Sequence, residues 1–252
     1  MANLALLQPD VRVAARFIGA LAGAHTIVVY PSWCALESSL ESGEVDVCVL
    51  DAADLGLDGI AERLTSLRGC FPNIAIVASV ESEGGEGYFD LGGLGVDGGV
   101  VGSSRPVKLR AGIDTALAVA RARHIERVLK TRIAEPGPAV VAWAVEHEGG
   151  DTSVERLASS LGHSPPGLRE VMAEIGLPSP ARILLWGRLL LAGARLGDDG
   201  RRVEDVAFSL GYTTSTALSR AMKRHTGLTP AEVSRRGGLS VVLDALFPAP
   251  IS

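Results

Sequence analysis

The chain has 252 residues, of which 47% are hydrophobic and 21% are charged, so it is long enough to bury two cores. Its formal net charge is −5, and no part of it is broadly basic. Residues 1–130 hold 11 Lys and Arg against 16 Asp and Glu, whereas residues 131–252 hold 13 of each kind.

Residues 1–130 alternate short apolar runs with helical patterns. This alternation is typical of a parallel sheet that helices cover on both faces. The predicted strands are Leu4–Leu7, Thr26–Tyr30, Val45–Leu50, Ile74–Ala78 and Gly98–Gly102, and the predicted helices are Val11–Leu21, Ala35–Ser42, Gly59–Leu67 and Lys108–Leu129.

Five such strand and helix units resemble the receiver domain of response regulators, which has a flavodoxin-like fold. The third predicted strand is followed by Asp51, which matches the phosphoacceptor aspartate of that family. Ser79 matches its Thr/Ser switch residue, Arg105 stands in place of its lysine, and Pro106 matches the proline that comes next. The resemblance therefore implies a receiver fold with Asp51 at its phosphorylation position.

The phosphotransfer chemistry of receivers is largely missing from this sequence. Phosphorylation of an aspartate needs Mg²⁺, which acidic side chains after the first strand would hold, and only Asp10 is available there beside Gln8. The planar guanidinium of Arg105 is not equivalent to the compact ammonium group of a lysine. We therefore predict a pseudo-receiver, in which Asp51 is bound by nearby backbone amides. Phosphorylation of Asp51 is the alternative.

Residues 139–238 show helical patterns only. The most apolar helix, about Ala181–Leu196, is interrupted by arginines too often for a membrane span, so we expect a buried connecting helix. Other helix signals are a first helix at Ala139–Glu148, a capping box at Thr152-x-x-Glu155, and helix starts at Ser164-Pro165 and Ser179-Pro180.

A helix, a tight turn and a second helix are predicted after the connecting helix. Ala207 and Leu210 fall on one face of the first of these helices, and Gly211 can adopt the positive φ that a sharp turn needs. Leu218 and Met222 face inward on the second. Its open face is polar and basic and fits the major groove of DNA. The predicted DNA contacts are Thr213, Thr214, Ser215, Thr216, Arg220, Lys223 and Arg224.

This pattern resembles the signature of AraC/XylS-type transcription regulators. The matching residues are Val206, Ala207, Gly211, Tyr212, Leu218, Arg220, Met222, Lys223, Gly227, Thr229 and Pro230. Regulators of this type carry two helix-turn-helices joined by a long helix. The resemblance therefore implies binding to double-stranded DNA and a first helix-turn-helix upstream of the connecting helix.

The two helix-turn-helices are unequal. The first has Glu170 and Ala173 where the second has Arg220 and Lys223. A carboxylate repels phosphates, although Glu can accept a hydrogen bond from cytosine N4. We expect the second helix-turn-helix to supply most of the base reading and the first to position the protein. The candidate contacts that remain in the first are Ser164 and Arg169.

The cysteines indicate whether the protein binds a metal or cofactor, and the N-terminus indicates its cellular location. Cys34, Cys48 and Cys70 are widely spaced and form no CxxC motif, so no metal site or cofactor is predicted. Cys48 lies in an apolar run typical of a core, and a redox-sensing role is left open for the other two. The N-terminus lacks the pattern of a signal peptide, so we predict a cytoplasmic protein without a membrane partner.

These patterns predict an α/β flavodoxin-like receiver fold with a five-stranded parallel sheet, followed by an all-α domain with two helix-turn-helices joined by a long helix. The amphipathic segment Leu239–Leu246 can pack on either domain or on a second subunit. The predicted bounds are 1–130 for the receiver-like domain, 131–138 for a linker, 139–238 for the DNA-binding domain and 239–252 for a tail.

The predicted function is sequence-specific transcription regulation. We expect the receiver-like domain to act through homodimerisation, a protein partner or a small ligand. One alternative is an interaction protein or antagonist that lost DNA binding, and another is control through phosphorylation of Asp51. An enzyme is disfavoured, because no catalytic residue, nucleophile–base pair or nucleotide-binding motif is recognisable.

Overall fold

The computed structural model describes residues 2–8, 10–41, 45–51, 57–80, 95–147, 152–197 and 201–249, without the side chains of residues 57–61. The chain divides into two compact units, residues 1–120 and 121–252. This division precedes the boundary at residue 130 that the sequence suggests, because Ala122, Ile125 and Leu129 pack in the core of the C-terminal unit.

The N-terminal unit holds a five-stranded parallel sheet with the strand order β2-β1-β3-β4-β5. This is the flavodoxin-like order, so the predicted fold is confirmed. The strands are β1 Ala2–Leu7, β2 His25–Tyr30, β3 Val47–Asp51, β4 Ala75–Val80 and β5 Gly98–Val101, and the described helices are α1 Val11–Leu21, α2 Trp33–Leu40, α3 Leu57–Cys70 and α4 Pro106–Leu129.

The central strands of the sheet are apolar toward both faces. Strands β1, β3 and β4 are buried almost throughout, as expected for a parallel sheet with helices on both sides. Phe17 and Ile113 pack in the core under α1 and α4, and Leu36 and Leu64 pack in the core under α2 and α3. Cys48 is buried in β3, as predicted, and burial raises the pKa of its thiol to about 12.

The C-terminal unit is helical in its described residues, as predicted. Its longest complete helix, α8 (Pro180–Gly197), buries Leu189, Leu190, Leu191 and Ala192 at the centre of the core, so it is the expected connecting helix. In the part of the chain that the structure describes, no helix is long and apolar enough to cross a membrane. The helices are α5 Gly137–Glu146, α6 Val154–Ser160, α7 Pro165–Glu174, α8 Pro180–Gly197, α9 Val203–Ser209, α10 Ser215–Thr226, α11 Pro230–Arg235 and α12 Leu239–Leu246.

Glycines on α8 allow two other helices to approach it closely. A Cβ on Gly187 would lie 2.8 Å from the carbonyl oxygen of Ala144 on α5. A Cβ on Gly193 would lie 2.8 Å from Cγ2 of Val242 on α12. The tail segment that the sequence leaves unplaced is therefore α12, and it packs on α8 within the C-terminal unit.

One predicted helix cap is wrong. The sequence suggests a capping box at Thr152 and Glu155, but the N-cap of α6 is Ser153, whose hydroxyl accepts a hydrogen bond from the amide of Arg156 at 3.3 Å. The helix begins one residue later than predicted because either neighbouring hydroxyl can cap it. The capping box between Thr229 and Glu232 at the start of α11 is confirmed.

Candidate nucleic-acid interface

Helices α9 and α10 form the second helix-turn-helix. The turn between them closes when the amides of Gly211 and Tyr212 donate to the carbonyls of Phe208 and Ala207, at 3.1 and 3.0 Å. Gly211 has φ +75°, the left-handed value that the sharp turn requires. The compact turn brings α10 against α9 within a few residues, in the arrangement of a DNA-binding helix-turn-helix.

Both ends of α10 are capped, which defines its length. At its start the hydroxyl of Thr214 accepts a hydrogen bond from the amide of Ala217 at 3.1 Å. At its end Gly227 adopts φ +74° and its amide donates to the carbonyl of Lys223. Because the Thr214 oxygen accepts the capping bond, its O–H remains able to donate to a phosphate.

The two faces of α10 differ sharply, as predicted. Leu218 and Met222 are 0% exposed and attach the helix to the core. The opposite face, with the turn that precedes the helix, carries the predicted DNA contacts, which are all exposed except the half-buried Ser215. The exposed residues are Thr213, Thr214, Thr216, Arg220, Lys223 and Arg224. We call α10 the reading helix.

The cations of the reading helix have different surroundings. Lys223 Nζ lies 3.8 Å from Glu232 Oε2, the same oxygen that accepts hydrogen bonds from the amide and hydroxyl of Thr229. Those bonds, with the nearby Lys223 and Arg236, hold the pKa of Glu232 below its usual value. Among the described residues, no carboxylate pairs with Arg220, so its guanidinium presents its full charge outward.

The connecting helix α8 holds both helices of the second helix-turn-helix through polar contacts. Arg195 Nη1 donates to the hydroxyl of Ser209 at the end of α9, at 2.8 Å. Trp186 Nε1 donates to Nδ1 of His225, near the end of α10, at 3.3 Å. Sequence patterns do not reveal these contacts, because the partners are distant in the chain and meet only through packing.

The first helix-turn-helix, α6 and α7, repeats the packing of the second but not its charge. Leu168 and Met172 of α7 are 0% exposed, in the positions of Leu218 and Met222. Its exposed face holds Glu170. The two predicted contacts, Ser164 and Arg169, are also exposed. Ser164 is the N-cap of α7, and its hydroxyl accepts a hydrogen bond from the amide of Gly167 at 3.2 Å.

The receiver-like residues of the N-terminal unit meet only in part. Asp51 and Ser79 are neighbours in the register of β3 and β4, and Ser79 is buried. The side-chain amide of Gln8 donates to Asp51 Oδ2. This contact forms because β1 ends beside β3, which places Gln8 next to Asp51.

The other two receiver-like residues, Asp10 and Arg105, do not contact Asp51 in any bond described for them. The carboxylate of Asp10 caps α1 by accepting from the amides of Arg12 and Val13, at 2.7 and 3.3 Å. Arg105 is exposed at the start of α4. Within the described ranges, no group of three or more His, Cys, Asp and Glu side chains could hold a metal ion.

Known proteins resemble this chain in the region of the two helix-turn-helices. A family described as a helix-turn-helix domain matches residues 157–236. The regulatory protein SoxS of Escherichia coli K12 is 27% identical over 97 residues, which cover 38% of this chain and 91% of SoxS. SoxS of Salmonella typhimurium LT2 is 26% identical over the same shares.

A solved structure of NtrX from Brucella abortus is 14% identical and covers 62% of this chain and 35% of NtrX, with a TM-score of 0.44. Because this TM-score is below 0.5, the fold of the N-terminal unit rests on its own strand order. Residues 157–236, in contrast, are an AraC-type helix-turn-helix domain of the kind found in DNA-binding transcription regulators.

Proposed function

We propose that this protein is a sequence-specific transcription regulator whose reading helix enters the major groove. The observation that carries the proposal is the face of α10 that presents Arg220, with Thr216 one turn before it, above the buried Leu218 and Met222. An arginine on such a face can donate two hydrogen bonds to O6 and N7 of guanine, the commonest specific contact in the major groove.

The charge of the C-terminal unit is compatible with this role. Counted over residues 121–252, it holds 17 Lys and Arg against 14 Asp and Glu, a net charge of +3. Residues 131–252 alone have a net charge of zero, because that count leaves out the basic end of α4. A surplus this small supports modest non-specific affinity, because that term grows with the number of phosphates neutralised.

The first helix-turn-helix has a different role in this proposal. The exposed Glu170 stands where the second helix-turn-helix has Arg220, so α7 positions the protein rather than reading bases. Ser164 and Arg169 remain available for phosphate contacts, which fix orientation without reading sequence.

Control by the N-terminal unit does not depend on phosphorylation in this proposal. Gln8 occupies a carboxylate oxygen of Asp51, and the carboxylate of Asp10 is engaged in capping α1. The unit acts instead through a second copy of the chain, a protein partner or a small ligand.

Selection of binding sites from a random duplex library tests the main proposal. We expect one enriched operator, and Arg220→Ala should lower operator affinity by about 1–3 kcal/mol while Glu170→Ala leaves it unchanged or stronger. Enrichment of no sequence would favour the alternative of an interaction protein or antagonist. Undiminished operator binding by Arg220→Ala would refute the assignment of the groove contact.

Phosphorylation is tested by incubating the protein with Mg²⁺ and an acyl phosphate and weighing it by mass spectrometry. We expect Asp51 to stay unmodified. Stoichiometric modification of Asp51 would show instead that the N-terminal unit is a working receiver.

A further inference from the structure

One indole links the C-terminal helix of the chain to the reading helix. Trp186 of α8 makes an edge-to-face contact with Phe247, with ring centroids 5.2 Å apart and planes at 87°. The same indole donates its Nε1–H to Nδ1 of His225 on the reading helix. Phe247 directly follows α12 and is 3% exposed, so this contact is buried.

Helix α12 is itself held in place by two sets of contacts. It packs on the glycine face of α8, where Val242 lies against Gly193, and it also contacts α10 and α11. Arg132 lies shortly after α4 and donates through Nη1 to Asp244 Oδ1 at 2.7 Å and to the carbonyl of Phe247 at 2.9 Å. Arg132 therefore holds Phe247 through contacts that do not involve Val242.

We propose that α12 is a brace for the reading helix, in which Phe247 and Trp186 act as positioning residues for DNA recognition. Helix α12 lies beyond residues 157–236, which match the helix-turn-helix family, so the brace is an addition to that domain. The inference rests on the proposed role of α10 as the reading helix.

The brace acts on the last turn of α10, which lies beyond the buried Leu218 and Met222. Leu218 and Met222 hold only one side of the helix, and Met222 is followed by the exposed Lys223 and Arg224. The hydrogen bond from Trp186 to His225 attaches the last turn of α10 to α8. Because groove contacts depend on the register of side chains with base edges, a shift of this turn weakens sequence reading more than general attraction to phosphates.

The protonation state of His225 reports whether the brace is in place. The indole N–H that donates to Nδ1 of His225 stabilises the neutral imidazole. Loss of this hydrogen bond therefore raises the pKa of His225. Burial, Arg182 on α8 and Arg224 on α10 also lower the pKa of His225. These arginines remain when the brace is removed, so a rise in the pKa of His225 then reports loss of the indole contact together with the burial that it provides.

The test compares full-length variants with a matched control on the same helix. Trp186→Phe keeps an aromatic ring beside Phe247 but removes the N–H donor, and Phe247→Ala removes the ring that orients the indole. Val242→Ala is the control, because it removes packing of α12 on α8 while the bonds from Arg132 to Asp244 and to the carbonyl of Phe247 remain. Each variant is measured below its own unfolding transition, by NMR titration of His225 and by binding to the selected operator and to random duplex.

We expect Trp186→Phe and Phe247→Ala to raise the pKa of His225 and to lower operator affinity by about 2- to 12-fold, the range typical of an aromatic contact. Affinity for random duplex should stay near the wild-type value in both. Val242→Ala should lower the melting temperature and leave the pKa of His225 and the operator preference unchanged.

The proposal is overturned if Phe247→Ala, while folded, keeps the wild-type pKa of His225 and the wild-type operator affinity. It is equally overturned if Val242→Ala moves both quantities as far as Phe247→Ala does, since α12 would then contribute stability only. The titration of His225 needs no DNA, so failure of the brace is distinguishable from failure of wild-type protein to select an operator.

Discussion

Replacement of Gly187 by alanine tests the packing that supports both helix-turn-helices. The new Cβ would lie 2.8 Å from the carbonyl oxygen of Ala144 and 2.9 Å from its carbonyl carbon. These are backbone atoms of α5, so they cannot move aside as a flexible side chain can. Overpacking of a core costs about 1–3 kcal/mol. Alanine regains about 0.5–1 kcal/mol relative to glycine in a helix interior, so the variant should remain less stable.

The assay for this variant is urea unfolding followed by tryptophan fluorescence. Trp143 and Trp186 lie in the C-terminal unit and Trp33 lies in the N-terminal unit, so the fluorescence follows the unfolding of both. Gly19→Ala is the control, because nothing lies within 4 Å of the Cβ that it adds on α1. The control should be neutral or slightly stabilising for the N-terminal unit, by up to about 1 kcal/mol. A free energy of unfolding for Gly187→Ala equal to or above that of wild type would refute the close approach of α8 and α5.

Three other predictions concern pH, capping and salt. The pKa of His225 is lowered chiefly by burial, so its contribution to stability should be complete above pH 6.5 and decline as the pH falls toward the folded-state pKa. The pKa of His124 is lowered as well, so His124 adds a pH dependence of the same sign. The measurement is therefore the difference in the free energy of unfolding between wild type and His225→Gln, obtained from urea unfolding between pH 5 and 8. Ser153→Ala should destabilise the C-terminal unit by about 0.5–2 kcal/mol in thermal unfolding, and a larger loss from Thr152→Ala would contradict the observed cap. Glu170→Arg should strengthen binding to random duplex and steepen its salt dependence by about 0.9 in logarithmic slope for one added phosphate contact, and an unchanged slope would show that α7 lies away from the DNA.

The regular elements of this fold could be predicted from the sequence because their signals are local. Helix α1 begins and ends at the predicted residues, Val11 and Leu21, since its apolar periodicity is regular and Asp10 caps it. The turn at Gly211 and the end of α10 at Gly227 follow from the backbone freedom of glycine. The exposed face of the reading helix follows from the spacing of its buried residues.

The features that were missed depend on tertiary contacts. Trp186 and His225 meet only after α8 and α10 pack together, and no periodicity marks such a pair. The Gln8 partner of Asp51 depends on which strands are neighbours in the sheet, which apolar runs do not reveal. The error at Thr152 has a different origin, because two adjacent hydroxyl residues offer the helix equivalent caps.

The end of α4 has a consequence for how this protein can be cut and recombined. Ile125 and Leu129 are buried in the core of the C-terminal unit, although they belong to a helix that begins in the N-terminal unit. A fragment starting at the proline-rich boundary near residue 136 would lack these side chains and leave part of that core open to water. Replacement of the N-terminal unit by another domain should therefore succeed when the junction lies near residue 120 and fail when it lies between α4 and α5.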